Sequence, residues 1–345
     1  MSGTAIDIDL YSDTLTMPSR AMREFMCNVP VGDEQKGEDP TVNALQERIA
    51  AMLGKPAALF MPSATMANQI AMKCHTQPGD EIVADAMSHT LHYEVGGPAF
   101  HSGVMVRALS GPRGCFTAED VAAVLRPADS QYLPQSRLVW VENTHNLAGG
   151  TVWRLPDLEG VSAFARAHDL ALHLDGARIF NASAASGVPV GVYGSLADTV
   201  TVCFSKGLGC PGGAVLAGPS ALIGRARRYK QLFGGAMRQG AGILAGAAVY
   251  ALDHHLDRLG EDHANARRLA AGLASVPGVA VDTDPVETNM VYFRVPDVDG
   301  FHAACLQRGL RFSKQVGNRL RAVTHLDVDA DMIERAIGIV REAVA

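Results

Sequence analysis

Residues 199–218 read TVTVCFSKGLGCPGGAVLAG. TVTVCF (199–204) is an unbroken run of β-branched and apolar residues, the pattern of a strand covered on both faces. GAVLAG (213–218) repeats that pattern, and Lys206 stands just beyond the end of the first run. Only eight residues, SKGLGCPG, separate the two runs. A parallel crossover needs about a dozen residues or more, so as neighbours these strands pair antiparallel. Working outward, further short apolar runs occur at AALFM (57–61), EIVAD (81–85), VMVRAL (104–109), RLVWVE (137–142) and LALHLD (170–175). Between several of them lie helix-period stretches such as TMANQIAMKCH and DLEGVSAFARAH. Alternating strand and helix imply an α/β fold: a mixed, mostly parallel seven-stranded sheet flanked by helices.

After residue 218 the pattern turns helical, then closes with strand runs in VAVDTDPVETNMVYFRV and RLRAVTHL, a helix FHAACLQRGL between them and a last helix from about Asp329. This predicts an N-terminal segment over 1–30, a large domain over 31–255 and a smaller C-terminal α+β domain over 256–345. The chain has 345 residues, 30 basic against 36 acidic, so the formal net charge is 30 − 36 = −6. A mildly acidic chain without a basic block argues against nucleic acid as its main partner. The longest apolar stretch, AGILAGAAVYAL from residue 241, has 12 residues, against about 20 for a bilayer span. MSGTAIDIDLYSD has no basic start or long apolar core, so no secretory signal is expected. Six cysteines without a CxxC pair read as reduced thiols in a cytoplasmic protein.

Several residues could carry chemistry. Ligands of open α/β sheets bind outside the carboxyl ends of strands, where Lys206 stands. Its bland reading is a solvated loop lysine, its sharp one an imine-forming amine. Gly207, Gly209 and Gly212 match GxGxxG, but Pro211 and a strand follow instead of a helix, with no acid before Leu252, so the dinucleotide fingerprint fails. Asp175 ends LALHLD with Arg178 three residues on, and an acid there can pair with a protonated heterocyclic nitrogen or simply cap the next segment. Ser63, Ala64 and Thr65 follow a strand and open a helix, a phosphate-binding arrangement or an ordinary N-cap. In ENTHN (142–146), Asn143 and His145 are expected to point into the same crevice. His89 also follows a strand, and its spacing from His92 lacks the further ligands of a metal site. Asp327, Asp329 and Asp331 have calcium-loop spacing, yet Met332 replaces the required glycine and the terminal glutamate is missing. No metal is expected.

A lysine, an acid and a helix-opening phosphate site together describe a pyridoxal 5'-phosphate (PLP) pocket. The chain also resembles the low-specificity L-threonine aldolases, among the fold-type I PLP-dependent, β-eliminating lyases. The resemblance runs nearly end to end, through DLYSDTLTMPSRAM, VGDEQKGEDPTVNALQ, MPSATMAN, ENTHN, HLDGARIFNA, SKGLGCPGG, KQLFGGAMRQ, ETNMVYFRV and RAVTHLDV. It implies that Lys206 holds PLP, Asp175 pairs with the ring nitrogen, His89 stacks on the ring, and Ser63, Ala64 and Thr65 cradle the phosphate. Arg238 of a neighbouring subunit would assist. Ser12, Arg178 and Arg321 would hold the substrate carboxylate. His145, or else His89, would lie near the β-hydroxyl as base. Lys230 and Arg238 would act across the interface of a homotetramer. The activity implied is retro-aldol cleavage of L-threonine, L-allo-threonine and related β-hydroxy-α-amino acids to glycine and an aldehyde. The alternatives are β-elimination on an amino acid with a β-leaving group, and a silent binding protein that kept the fold. The chain departs from the family pattern at Tyr11, Lys36, Ala64, Leu147 and Ala148. Ala64 replaces a glycine, which requires that the turn there avoid positive φ.

Overall fold

The protein is described by a computed structural model covering residues 5–127, 129–282 and 285–344. A short strand, β1 (Ile8–Asp9), comes first. Seven strands then build the main sheet: β2 (Ala57–Met61), β3 (Glu81–Asp85), β4 (Met105–Leu109), β5 (Ser136–Glu142), β6 (Ala171–Gly176), β7 (Thr199–Cys203) and β8 (Ala214–Gly218). Their spatial order is β2-β8-β7-β6-β5-β3-β4. The five neighbours from β7 to β4 run parallel, while β8 is antiparallel to both β7 and β2. The short turn after Lys206 dictates that reversal, as expected. Gly213 enters β8 at φ +102, and a Cβ there would meet the Phe60 ring at 2.9 Å, so only glycine fits.

Every residue of β3, β7 and β8 is buried, which explains why these strands read as continuous apolar runs. The largest core joins this sheet to helices such as Pro40–Met52, Leu155–Ala167 and Gly240–His254.

A second sheet of β9 (Ala280–Val281), β10 (Met290–Arg294), β12 (Ser313–Gln315) and β13 (Arg319–Val323) runs in the order β12-β13-β10-β9, all antiparallel. Between β10 and β12 lie the helix Val298–Gln307 and β11 (Leu310–Arg311), and β11 pairs in parallel with β1. Thr283 and Asp284 of the expected strand segment lie outside the described residues. So do residues 1–4 of the N-terminal segment. Ile8 and Leu10 are fully buried in the second core beside Leu269, Phe293, Phe312 and Ile337. The backbone carbonyl of Leu10 accepts from Val323, and that of Asp9 from His325. The N-terminal segment is thereby tied along the edge of the C-terminal sheet, and residues 11–14 are carried toward the carboxyl ends of the main strands.

Candidate active site

The register puts Glu142 of β5 beside Asp175 of β6, and Asp175 beside Thr201 of β7. Lys206 follows three residues after β7 ends, so Asp175 and Lys206 stand at the carboxyl ends of adjacent strands. Lys206 lines a cavity of about 230 Å³. His89 and Arg178 line it with the lysine, together with Tyr11, Ser12 and Thr14 from the N-terminal segment and Ser313, Gln315 and Arg321 from the C-terminal sheet. Asn146 and Tyr93 complete it. Among the described residues the Lys206 amine has no hydrogen-bond or ion-pair partner, although a half-buried lysine at a strand end could easily have been given one.

Beneath the cavity lies a buried anionic cluster. Asn68, on the helix Ala64–His75, donates to Asp175 Oδ2 at 2.8 Å and to Glu94 Oε1 at 2.9 Å. The Ala177 amide donates to Asp175 Oδ1 at 3.1 Å. His89 pairs through Nδ1 with Glu94 at 2.9 Å, and its backbone amide donates to Glu142 at 2.7 Å. Burial disfavours a charged His89 ring, but the hydrogen bond to Glu94 and the field of Asp175 outweigh it and raise its pKa. One ligand atom each from His89, Glu94 and Asp175 lies within 4.8 Å of the others; the Asn68 and Gln69 amides occupy these carboxylates.

The two arginines are held differently. Arg178 clamps Asp13 through Nε at 2.7 Å and Nη2 at 2.6 Å, both residues buried. Burial alone would raise the Asp13 carboxyl; the Arg178 guanidinium more than reverses this and holds it well below the usual range. Asp13→Asn is therefore expected to cost about 3–5 kcal/mol, since a buried guanidinium loses its charge partner. A depressed folded pKa adds stability above the unfolded value of about 3.9, and this is lost as pH falls through the folded pKa. Urea unfolding at neutral and acid pH should show the wild type losing its advantage over the variant only in acid. Arg321 donates to Asn146 Oδ1 at 3.1 Å and to the Tyr11 carbonyl at 3.2 Å, while its buried Nε has no partner among the described residues.

Other expected site residues fall elsewhere. His145 is fully buried and does not line the cavity; its Nε2 lies 3.2 Å from Asp85 Oδ1. The physical reason is the turn that starts here. His145 forms an antiparallel bridge with Thr151 and is held against Asp85, while Asn146 opens the turn that follows and lines the cavity. Burial opposes a charged His145 ring, but Glu142 and Asp85 raise its pKa, making it a counter-ion to the carboxylates. Asn143 turns inward as well, accepting from the Trp153 amide at 3.3 Å. Lys230 is buried in an ion pair with Glu34 and lines a separate groove. Arg238 is exposed and bonded to Asp33 at 2.7 Å. Neither touches the Lys206 cavity of its own chain.

Ser63 caps the helix Ala64–His75 through the Met66 amide; Ser63, Ala64 and Thr65 stand at that helix's start, one turn before Asn68, and do not line the cavity. Ala64 is helical and absent from the positive-φ positions, which explains why an alanine is tolerated. Tyr11 is a cavity wall, Lys36 is exposed, and Leu147 and Ala148 line a neighbouring cavity beside Asp85. The acids near the C-terminus act locally: Asp329 caps Met332, and Asp327 accepts from the Met17 amide. Sequence reasoning passed over Asn68, Glu94, Glu142 and Asn146. Only Asn68 carried a usable signal, sitting one turn from Ala64 on the same helix face.

The family model for beta-eliminating lyases matches residues 9–296. A low-specificity L-threonine aldolase of Arabidopsis thaliana is 38% identical over 98% of this chain and 96% of its own length. The low specificity L-threonine aldolase of Escherichia coli K12 is 40% identical over 94% and 96%. The chain belongs to the beta-eliminating lyase family, among the low-specificity L-threonine aldolases. A threonine aldolase structure from Leishmania major has the same fold, with TM-score 0.85 at 21% identity, covering 98% of this chain and 100% of the other. In this threonine aldolase family member, the matched range spans the Lys206 cavity from Tyr11 to Arg178 and Lys206 but stops short of Ser313, Gln315 and Arg321. Among its described residues no helix is long and apolar enough to cross a membrane.

Proposed function

We propose that this chain is a PLP-dependent aldehyde-lyase that cleaves L-threonine, L-allo-threonine and related β-hydroxy-α-amino acids to glycine and an aldehyde. The observation that carries the reading is the unpaired Lys206 amine lining a cavity at the strand end next to Asp175. The residues fit the cofactor. A free amine suits an aldehyde, an acceptor-only carboxylate suits a protonated heterocycle, and the buried carboxylates Asp175, Glu94 and Glu142 favour a cationic ring.

Lys206 would hold the cofactor and return a proton to the substrate Cα. Asp175 would pair with its ring nitrogen, and His89 would lie against the ring. Ser63, Ala64 and Thr65 would receive the phosphate at a helix N-terminus, where free amides and the helix dipole favour an anion. When bound, PLP supplies the conjugated cationic ring that accepts the electron pair of the breaking Cα–Cβ bond. Arg321, Arg178 and Ser12 would hold the substrate carboxylate, setting which Cα bond aligns with that ring. Since His145 faces Asp85, the β-hydroxyl proton is assigned to His89. Its Nδ1 is anchored on Glu94, which leaves Nε2 for the substrate, and its raised pKa suits a base working near neutrality.

Homotetramer assembly, with Arg238 and Lys230 acting across subunits, belongs to the same reading. Arg238 is exposed, so it lies where a second copy could meet it, whereas Lys230 is buried against Glu34 beneath a surface groove and would act on the interface through that pair. A cytoplasmic location likewise rests on the reduced-thiol reading of the cysteines.

Incubation of purified protein with L-threonine and L-allo-threonine should yield glycine and acetaldehyde. Glycine formation from neither would defeat the proposal, and pyruvate with ammonia would move it to β-elimination, the chemistry of the family's name. Arg321→Lys keeps the charge but loses the fork that matches a carboxylate. It should raise KM for threonine by about 30-fold, the size of a charged hydrogen bond, with a smaller change in kcat.

A further inference from the structure

His173 is fully buried two residues before Asp175, on the same face of β6. Nothing in the mechanism above uses it. Its ring packs on Trp140, with centroids 4.2 Å apart. An apolar ring would fill that space without the cost of burying two ring nitrogens. Both nitrogens have partners. Nδ1 lies 2.8 Å from Thr199 Oγ1, its directly paired neighbour on β7, and Nε2 lies 3.4 Å from Asn68 Oδ1 and 3.5 Å from Thr201 Oγ1. Thr199 Oγ1 in turn lies 2.9 Å from Nε2 of His75. Asn68 and His75 stand seven residues apart, two turns of one helix, and both reach the same strip of sheet. Partly exposed His75 lines a surface depression with Asp198 and Arg166.

Donor and acceptor logic gives this row a direction. Asn68 Nδ2 faces two carboxylate oxygens, which only accept, so its Oδ1 must face His173. Asn68 Oδ1 can only accept and is the nearer of the two groups at Nε2, the Thr201 hydroxyl being free to accept as well, so Nε2 carries the proton and Nδ1 accepts from the Thr199 hydroxyl. That hydroxyl, having spent its one proton, accepts from His75. Burial pushes the pKa of His173 down to about 3 and that of His75 to about 4, so both rings are neutral at working pH and each has one donor and one acceptor.

We propose that His75, Thr199, His173 and Asn68 form a one-way hydrogen-bond chain from the surface to Asp175, every donor aimed at the carboxylate, and that the chain positions Asp175 and sustains its charge under the cofactor ring. These are positioning residues, and their role toward the cofactor rests on the function proposed above. The discriminating pair is Thr199→Val, which keeps the shape and removes the hydroxyl, against Thr199→Ser, which keeps the hydroxyl.

The first measurement is ¹⁵N NMR of the imidazoles in cofactor-free protein. Wild type and Thr199→Ser should show His173 as the Nε2–H tautomer, and Thr199→Val a mixture. A wild-type Nδ1–H tautomer would reverse the chain and overturn the proposal whatever the enzyme does. The second is PLP affinity together with the absorption of the bound cofactor. Thr199→Val should weaken binding by about tenfold, the size of one buried hydrogen bond, and shift the spectrum, with Thr199→Ser within about twofold of wild type. Equal defects in both variants, or none in either, would overturn the role. If Thr199→Val does not fold, His75→Leu at the outer end should weaken binding in the same direction by about threefold, and an unchanged affinity would count against the chain. A wild type that shows the expected tautomer but binds no PLP would refute the function, and with it the role toward Asp175, while leaving the chain itself measured.

Discussion

Lys206→Ala is expected to abolish covalent retention of PLP and to lower the rate of glycine formation from threonine by about 10⁴-fold or more, the scale seen when an essential nucleophile is removed. The expectation follows from how the amine is kept. Three carboxylates are buried nearby in Asp175, Glu94 and Glu142, yet Asn68, Gln69, His89 and backbone amides satisfy them, and among the described residues Lys206 is left unpaired. Because the lysine stabilises nothing through a defined bond, its loss should leave the melting temperature almost unchanged. Borohydride reduction followed by peptide mass mapping checks the first claim: wild type should carry the reduced cofactor on Lys206 and the variant none. Reduced label on another lysine, or near-normal turnover by the variant, would remove Lys206 from the chemistry.

The parts of this fold that were legible in the sequence are those where burial on both faces leaves no choice of residue. β2, β3 and β7 come within a residue of their apolar runs, and the reversal at β8 follows from the length of one turn. β12 (Ser313–Gln315) was not legible, because its three polar residues carry no period. β1 has only two residues and is a strand solely because β11 pairs with it.

The site divides the same way. Lys206 and Asp175 were readable because a strand's end fixes where they go. His145 was expected in the crevice; the structure sets it against Asp85, and the turn after β5 brings Asn146 to the cavity instead. Glu94 was invisible: only the fold brings it to His89 and Asn68. The cavity lining of Ser12, Ser313 and Arg321 joins sequence positions some 300 residues apart through the β1–β11 pairing and the bond from Arg321 to Tyr11. No local pattern encodes that.

Asp175→Asn should separate charge from shape at the position next to the lysine. The amide has nearly the same volume, so the core around it is undisturbed. Its single oxygen can accept from Asn68 or from the Ala177 amide but not from both. The lost bond costs about 1–3 kcal/mol, offset in part because one of three clustered carboxylates loses its charge. Stability should therefore fall modestly. Activity should fall far more, by about 10²–10³-fold, the scale found when one preorganised electrostatic partner of a developing charge is removed. His89 supplies an independent readout. Asp175 is among the causes that raise its pKa, so the variant's His89 should titrate at lower pH than wild type. The acid limb of the rate profile, which the protonation of that base sets, should move with it to lower pH. If the variant retained normal turnover while His89 shifted as expected, Asp175 would be a neighbour of the base and no partner of the ring. If His89 did not move, the cluster beneath the cavity would not be coupled as its hydrogen bonds require.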